Sequence, residues 1–157
     1  MALTFGNVTI SIKSGALIPL LVMLPNIVWM LAPKPDAGKP APEPLALTIV
    51  ENVGRFATLI LPFFFALDLN KRFSTPVVIA MGAALFAYYA CWIRYFTGGK
   101  SQELLGAPFL GIPQPMAVMP IAFFTLSSYL MGSWWMFSAS VLFGVAHIWI
   151  SFLIWSR

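Results

Sequence analysis

Apolar positions along this chain come in long unbroken runs rather than in alternation. Five such runs predict helices over residues 15–31, 45–67, 76–96, 116–130 and 134–155. A membrane-crossing helix needs about 20 predominantly apolar residues; the second, third and fifth runs exceed that length, and the first and fourth are 17 and 15 residues long. A membrane β-barrel would instead show alternating segments of about 10 residues. Every backbone polar group must be satisfied within lipid, so continuous apolar runs are read as helices. The expectation is an all-α, polytopic transmembrane helix bundle of about five spanning helices, forming a single unit over residues 1–157.

The polar positions mark the boundaries. Between Met116 and Trp155 the only ionisable side chain is His147. That stretch is too long for one span and fits two, broken at Gly132–Ser133, with Trp134 and Trp135 as interfacial anchors. Residues 104–115 are apolar but short, and prolines at 108, 113 and 115 favour an interfacial or re-entrant path over a spanning helix. The segment 32–44 holds five prolines, at 33, 35, 40, 42 and 44, which predicts an extended, semi-rigid linker. Residues 1–14 do not read as a signal peptide: Lys13 is the one early cation, and no small-x-small cleavage site follows. Val8, Ile10 and Ile12 alternate with polar residues, which suits a segment lying at the interface. No internal repeat is seen.

Composition narrows the class. The chain is 60% hydrophobic and 9% charged, against about 25% charged in a soluble domain. Nine Lys and Arg with five Asp and Glu cannot keep the surface of a soluble domain wet, and one cysteine excludes a disulfide scaffold. With five spans, one side carries Lys13, Lys71 and Arg72, and the other carries Lys34, Lys39, Arg94, Lys100 and Arg157. The positive-inside rule then places the second side in the cytoplasm. This predicts a bacterial inner membrane protein with an outside N-terminus and a cytoplasmic C-terminus. The net charge of +4 suits anionic lipid rather than nucleic acid.

Few polar groups fall inside the spans, so each requires a reason. Glu51 and Arg55 are four apart with the acid first, the favoured order for a helical ion pair. Thr48, Glu51, Arg55, Thr58 and Pro62 share one stripe, which should face protein or water. Two readings stay open for the pair: a packing device, or a ligand-facing group. Asn26 follows Pro25, which leaves a carbonyl one turn earlier without its donor. The amide can satisfy backbone, reach another helix or touch a ligand. His147 shares a stripe of small residues with Ser140, Gly144 and Ser151, so it points inward. A lone histidine makes a poor zinc site, and no metal or cofactor is expected. Arg94 closes the third run and suits snorkelling toward headgroups. Gln114, between Pro113 and Pro115, marks broken backbone at a helix start. Cys91 lies on a close-packing face with Ala80, Ala84 and Ala87.

Depth connects these groups. At 1.5 Å per residue, Asn26 lies about 7 Å, Glu51 about 9 Å, His147 about 12 Å and Arg55 about 15 Å inside the same membrane face. Arg94 and Gln114 enter from that face too. Asn26, Glu51, Arg55, Arg94, Gln114 and His147 thus define a candidate ligand-binding pocket in one leaflet. Its chemistry suits a small amphipathic or anionic molecule, such as a lipid, isoprenoid or quinone-like compound, bound or transported. The alternative is an accessory subunit of a larger membrane complex, or a homo-oligomer, with these groups as packing glue. An enzyme would need a motif the chain does not carry: there is no nucleophile elbow, phosphate loop, CxxC pair or paired metal cluster.

The segments Pro25-Asn26-x-x-Trp29, Glu51-Asn52-x-Gly54-Arg55, Trp92-x-Arg94-Tyr95-Phe96 and Pro113-x-Pro115-x-Ala117-Val118-x-Pro120 together resemble a group of small bacterial multi-spanning membrane proteins. The resemblance covers most of the chain, implies a helical bundle and carries no activity. Length and tryptophan content are also similar to the translocator-protein group, but the motifs of that group do not occur here in order.

Overall fold

Each apolar run becomes a helix, and prolines and glycines set where it stops. The computed structural model describes residues 2–5, 8–11, 14–32 and 44–155. Strands β1 (Ala2–Phe5) and β2 (Val8–Ser11) pair antiparallel, Leu3 opposite Ile10. A 3-10 turn at Ser14–Ala16 leads into α1 (Leu17–Leu31). Then come α2 (Leu45–Ile60), α3 (Ser74–Thr97), a single turn α4 (Glu103–Gly106), α5 (Pro115–Met131) and α6 (Trp134–Trp155). The chain is therefore all-α but for the short hairpin. Most of the proline-rich 32–44 segment lies outside the described residues.

Ser14–Leu31, Leu45–Phe64, Ser74–Thr97 and Trp134–Ile154 are long and apolar enough to cross a membrane. The fifth, α5, has 17 residues, or about 25 Å at 1.5 Å per residue, against a hydrocarbon core of about 30 Å. The second run ends earlier than its apolar pattern suggests. Its α-helix stops at Ile60 and continues as a 3-10 turn, Leu61–Phe64. Pro62 has no N–H to continue the i to i−4 ladder, so the chain tightens and then extends.

Large apolar side chains cover the outside as well as the core, and a few polar groups are buried. Phe56, Ile79, Phe86 and Trp149 stand on the exposed outside, while Glu51, Thr58, Ser127 and Ser140 are buried. Within the bundle, α2 packs on α6, α6 on α5, and α5 on α3, with α1 crossing α2, α3 and α5. Glycine sets two of these approaches. A Cβ on Gly54 would lie 2.6 Å from the Phe143 backbone nitrogen, and one on Gly144 would lie 2.6 Å from the Ile121 side chain. Ala84, Ala87 and Cys91 are buried as a close-packing face of α3, whereas Ala80 is exposed.

Loops are tied to helix ends. The Lys71 ammonium donates to the Tyr129 carbonyl at 2.6 Å, and the Asp68 N–H to the Leu130 carbonyl at 3.0 Å. Both carbonyls belong to the last turn of α5, where helical donors run out; the Gly132 N–H also reaches the Tyr129 carbonyl, at 3.1 Å. At the opposite end of α3, Arg94 donates to the carbonyls of Ala107 and Pro108, each at 3.0 Å. The 104–115 segment is thus one helical turn followed by an irregular loop, with a Phe109–Ile112 bridge. It ends at Gln114, which takes a left-handed conformation (φ 49°) before Pro115 opens α5.

Candidate functional site

The close α2–α6 approach at Gly54 places two polar stripes against each other. Glu51 is one turn before Gly54 on α2, and His147 is one turn after Phe143 on α6. The Glu51 carboxylate contacts His147 Nδ1 at 2.7 Å and, through the same oxygen, pairs with the Arg55 guanidinium. Its side chain is 7% exposed, that of His147 26% and that of Arg55 41%. The acid is therefore held behind its two partners, and the partners face outward from it. Phe143 supports both: its ring lies 5.7 Å from the Arg55 guanidinium carbon and 5.0 Å, centroid to centroid, from the imidazole. Arg55 Nη1 also approaches the Asn52 side-chain oxygen at 3.4 Å, and the Thr58 hydroxyl donates to the Arg55 carbonyl at 2.9 Å.

Opposite this cluster, α1 and α3 supply a second polar group. Asn26 Nδ2 donates to the Val22 carbonyl at 2.8 Å and to the Tyr88 hydroxyl at 2.7 Å. Pro25 has no N–H for the Leu21 carbonyl. The Tyr89 hydroxyl supplies the missing donor at 2.7 Å. One turn on, Trp29 Nε1 donates to the Tyr95 hydroxyl at 3.2 Å. A tyrosine and tryptophan seam thus joins α1 to α3.

Between the two groups lies a cavity of about 480 Å³, walled by all five long helices. Asn26, Arg55, His147, Tyr88 and Thr58 line it, with Met23, Met30, Leu59, Met116, Phe124 and Phe143 as apolar wall. Its volume falls in the range of about 300–1,000 Å³ common for small-molecule sites, and the mix of apolar wall and few polar groups is also that of such sites. Two larger hollows, between α5 and α6 and beside Tyr129, are shallow outward-facing grooves, the first almost wholly apolar.

Of the six residues expected at a pocket, three line this cavity: Asn26, Arg55 and His147. Glu51 stands behind Arg55 and His147 and sets their positions. The other two are engaged elsewhere. Arg94 holds the 104–108 loop through its carbonyls and lies 5.3 Å from the Phe109 ring. Gln114 Nε2 donates to the Ser151 carbonyl at 3.2 Å, joining the start of α5 to the end of α6. Shared depth alone does not bring a residue to a cavity. Helix rotation decides it, and rotation requires knowing which helices are neighbours.

The sequence places Thr58 on the Glu51–Arg55 stripe and Tyr88 among the aromatic residues that could cover a ligand's apolar body, and both line the cavity. Tyr88 lies in an aromatic run, Tyr88, Tyr89, Trp92, Tyr95 and Phe96, whose spacing signals an aromatic helix face. Nothing in that spacing says which ring meets Asn26. Among the described residues no three His, Cys, Asp or Glu side chains come together as a metal-binding group. No protein-family model matches this chain, and neither a curated protein nor a solved structure is similar to it.

Proposed function

We propose that the chain is a small five-span protein of a bacterial inner membrane that binds an amphipathic small molecule in the cavity between its helices. The observation that carries this reading is the cavity itself. It is a half-open pocket walled by residues of five helices, apolar over most of its wall, with a guanidinium and an imidazole both on its lining. Charged groups within a bundle are costly to retain unless they pair or line a site. Here the Arg55 charge is paired on one side by Glu51 and still opens onto the cavity on the other. The Lys and Arg distribution supports a cytoplasmic C-terminus, on the membrane face nearest this polar end.

Native mass spectrometry of the detergent-purified protein, with organic extraction of the same sample, tests the reading. Wild type is expected to retain one equivalent of an amphiphile, its own or an added one. Met23→Trp, which fills the cavity beside Asn26, is expected to lose it without loss of folding. Equal retention by both, or no retention of any amphiphile by wild type, overturns the proposal. A co-purifying polypeptide in place of a small molecule supports the accessory-subunit alternative.

A further inference from the structure

We infer that the ligand of this cavity is a monobasic acid amphiphile that enters as the uncharged acid and gives its proton to His147. This deepens the proposed function and rests on it. The argument starts from the shared Glu51 oxygen. A carboxylate only accepts hydrogen bonds, so the His147 Nδ1 atom, 2.7 Å from it, carries the imidazole proton. His147 Nε2 is then the ring atom left with a lone pair. Arg55 has five N–H donors and uses one on Glu51 and one on Asn52. Both side chains line the cavity, so the proposal assigns Nε2 as its basic acceptor, beside the guanidinium donors that Glu51 and Asn52 do not use.

Charge balance selects the ligand. In the proposed tautomer, with Nδ1 protonated and Nε2 free, His147 adds no charge to the Glu51–Arg55 pair, and the three sum to zero. A bound anion alone would leave a net negative charge in a low-dielectric site, and a cation would meet Arg55. An undissociated acid adds no charge. On binding, its O–H bond breaks with the electron pair kept by the carboxylate oxygen, and an N–H bond forms at His147 Nε2. The product is two anions paired with two cations: the Glu51 and ligand carboxylates against the Arg55 guanidinium and the imidazolium. No co-reactant is needed and the site stays neutral. The other groups around His147 do not disturb this count. Asn26 on α1 and Tyr88 on α3 carry no formal charge, α5 contributes only Met116, Pro120 and Phe124, and Glu103 on α4 does not line the cavity. The apolar wall takes the ligand's chain, and the uncharged acid is the form that partitions through lipid.

Decanoic acid, methyl decanoate and decylamine serve as probes of equal chain length, with binding to the purified full chain read by calorimetry and native mass spectrometry. Wild type is expected to prefer the acid by about tenfold or more over the ester, the worth of one charge-assisted hydrogen bond, and to exclude the amine. At about pH 9, far above the ordinary carboxyl range, titration in buffers of different ionisation enthalpy should show one proton taken up per acid bound. Arg55→Lys keeps the preference and Arg55→Met loses it. His147→Gln binds the acid without proton uptake. If all three probes bind equally, or acid binds with no proton uptake by wild type, the inference fails while the cavity reading stands. If none binds, the cavity reading fails with it.

Discussion

Glu51 is the residue on which the cluster depends, because one of its oxygens serves two partners on different helices. Removing one member of a buried charge pair leaves the other uncompensated, which costs more than removing both. Arg55 is 41% exposed, so solvent in the cavity relieves part of that cost. Glu51→Gln is therefore expected to destabilise the detergent-solubilised protein by about 1–3 kcal/mol, the cost of leaving a buried hydrogen-bonding partner unsatisfied. Adding Arg55→Met should restore part of the loss, a non-additive coupling that a double-mutant cycle in thermal melts would read. Fully additive losses would show that the pair is not coupled in the folded state. The i, i+4 relation of Glu51 and Arg55 was legible in the sequence, since helix geometry dictates it. The third partner was not: His147 is 96 positions away from Glu51, and only the glycine contact between α2 and α6 brings it there.

Helix interruptions are compensated by side chains from neighbouring helices. In α1, Pro25 leaves the Leu21 carbonyl without its helical donor, and the Tyr89 hydroxyl of α3 takes that place. Proline is tolerated in membrane helices where neighbours re-satisfy the freed group in this way. The two residues should therefore be energetically linked. Tyr89→Phe is expected to cost about 0.6 kcal/mol, the average for hydrogen bonds between membrane helices, and no more than about 1.7 kcal/mol. In a Pro25→Ala background the new N–H at position 25 can take the Leu21 carbonyl, and Tyr89→Phe should be nearly neutral. An equal cost in both backgrounds would show that the hydroxyl acts elsewhere. Sequence reading reached half of this device. Pro25 announced a freed carbonyl, and Asn26, the adjacent amide, was expected to satisfy backbone or reach a neighbouring helix. It does both, at the Val22 carbonyl and the Tyr88 hydroxyl, while the carbonyl that Pro25 frees, that of Leu21, takes the Tyr89 hydroxyl instead. The aromatic run of α3 supplied the donor, and an inter-helix partner of that kind has no local signature. Gln114 is similar: its proline neighbours marked an irregular start to α5, but its bond to Ser151 depends on how α5 and α6 stack.

At the scale of the molecule the number of crossings turns on α5, which is shorter than its neighbours. Its two ends are fastened to the two ends of α3. Tyr129 and Leu130, in the last turn of α5, meet Lys71 and Asp68 just before α3 begins. At the other end, Arg94 in the last turn of α3 grips the carbonyls of the loop that leads into α5. A helix of 24 residues is about 36 Å long, and one of 17 residues about 25 Å. The irregular loop 107–114, folded back by the Phe109–Ile112 bridge and the left-handed Gln114, covers the remaining depth. Non-helical backbone at membrane depth is tolerated when it is buried in protein, and the two loop carbonyls held by Arg94, those of Ala107 and Pro108, satisfy part of that requirement. This pairing supports α5 traversing the same thickness as α3 in the opposite direction. The expected outcome is an odd number of crossings, with the two termini on opposite sides of the membrane. Reporters fused separately at Met1 and Arg157 should give opposite compartments, the Arg157 fusion reading cytoplasmic as the positive-inside rule directs. The same compartment for both would mean four crossings. Then α5 would not reach through the bilayer, and the wall that Met116 and Phe124 give the cavity would have to open to water.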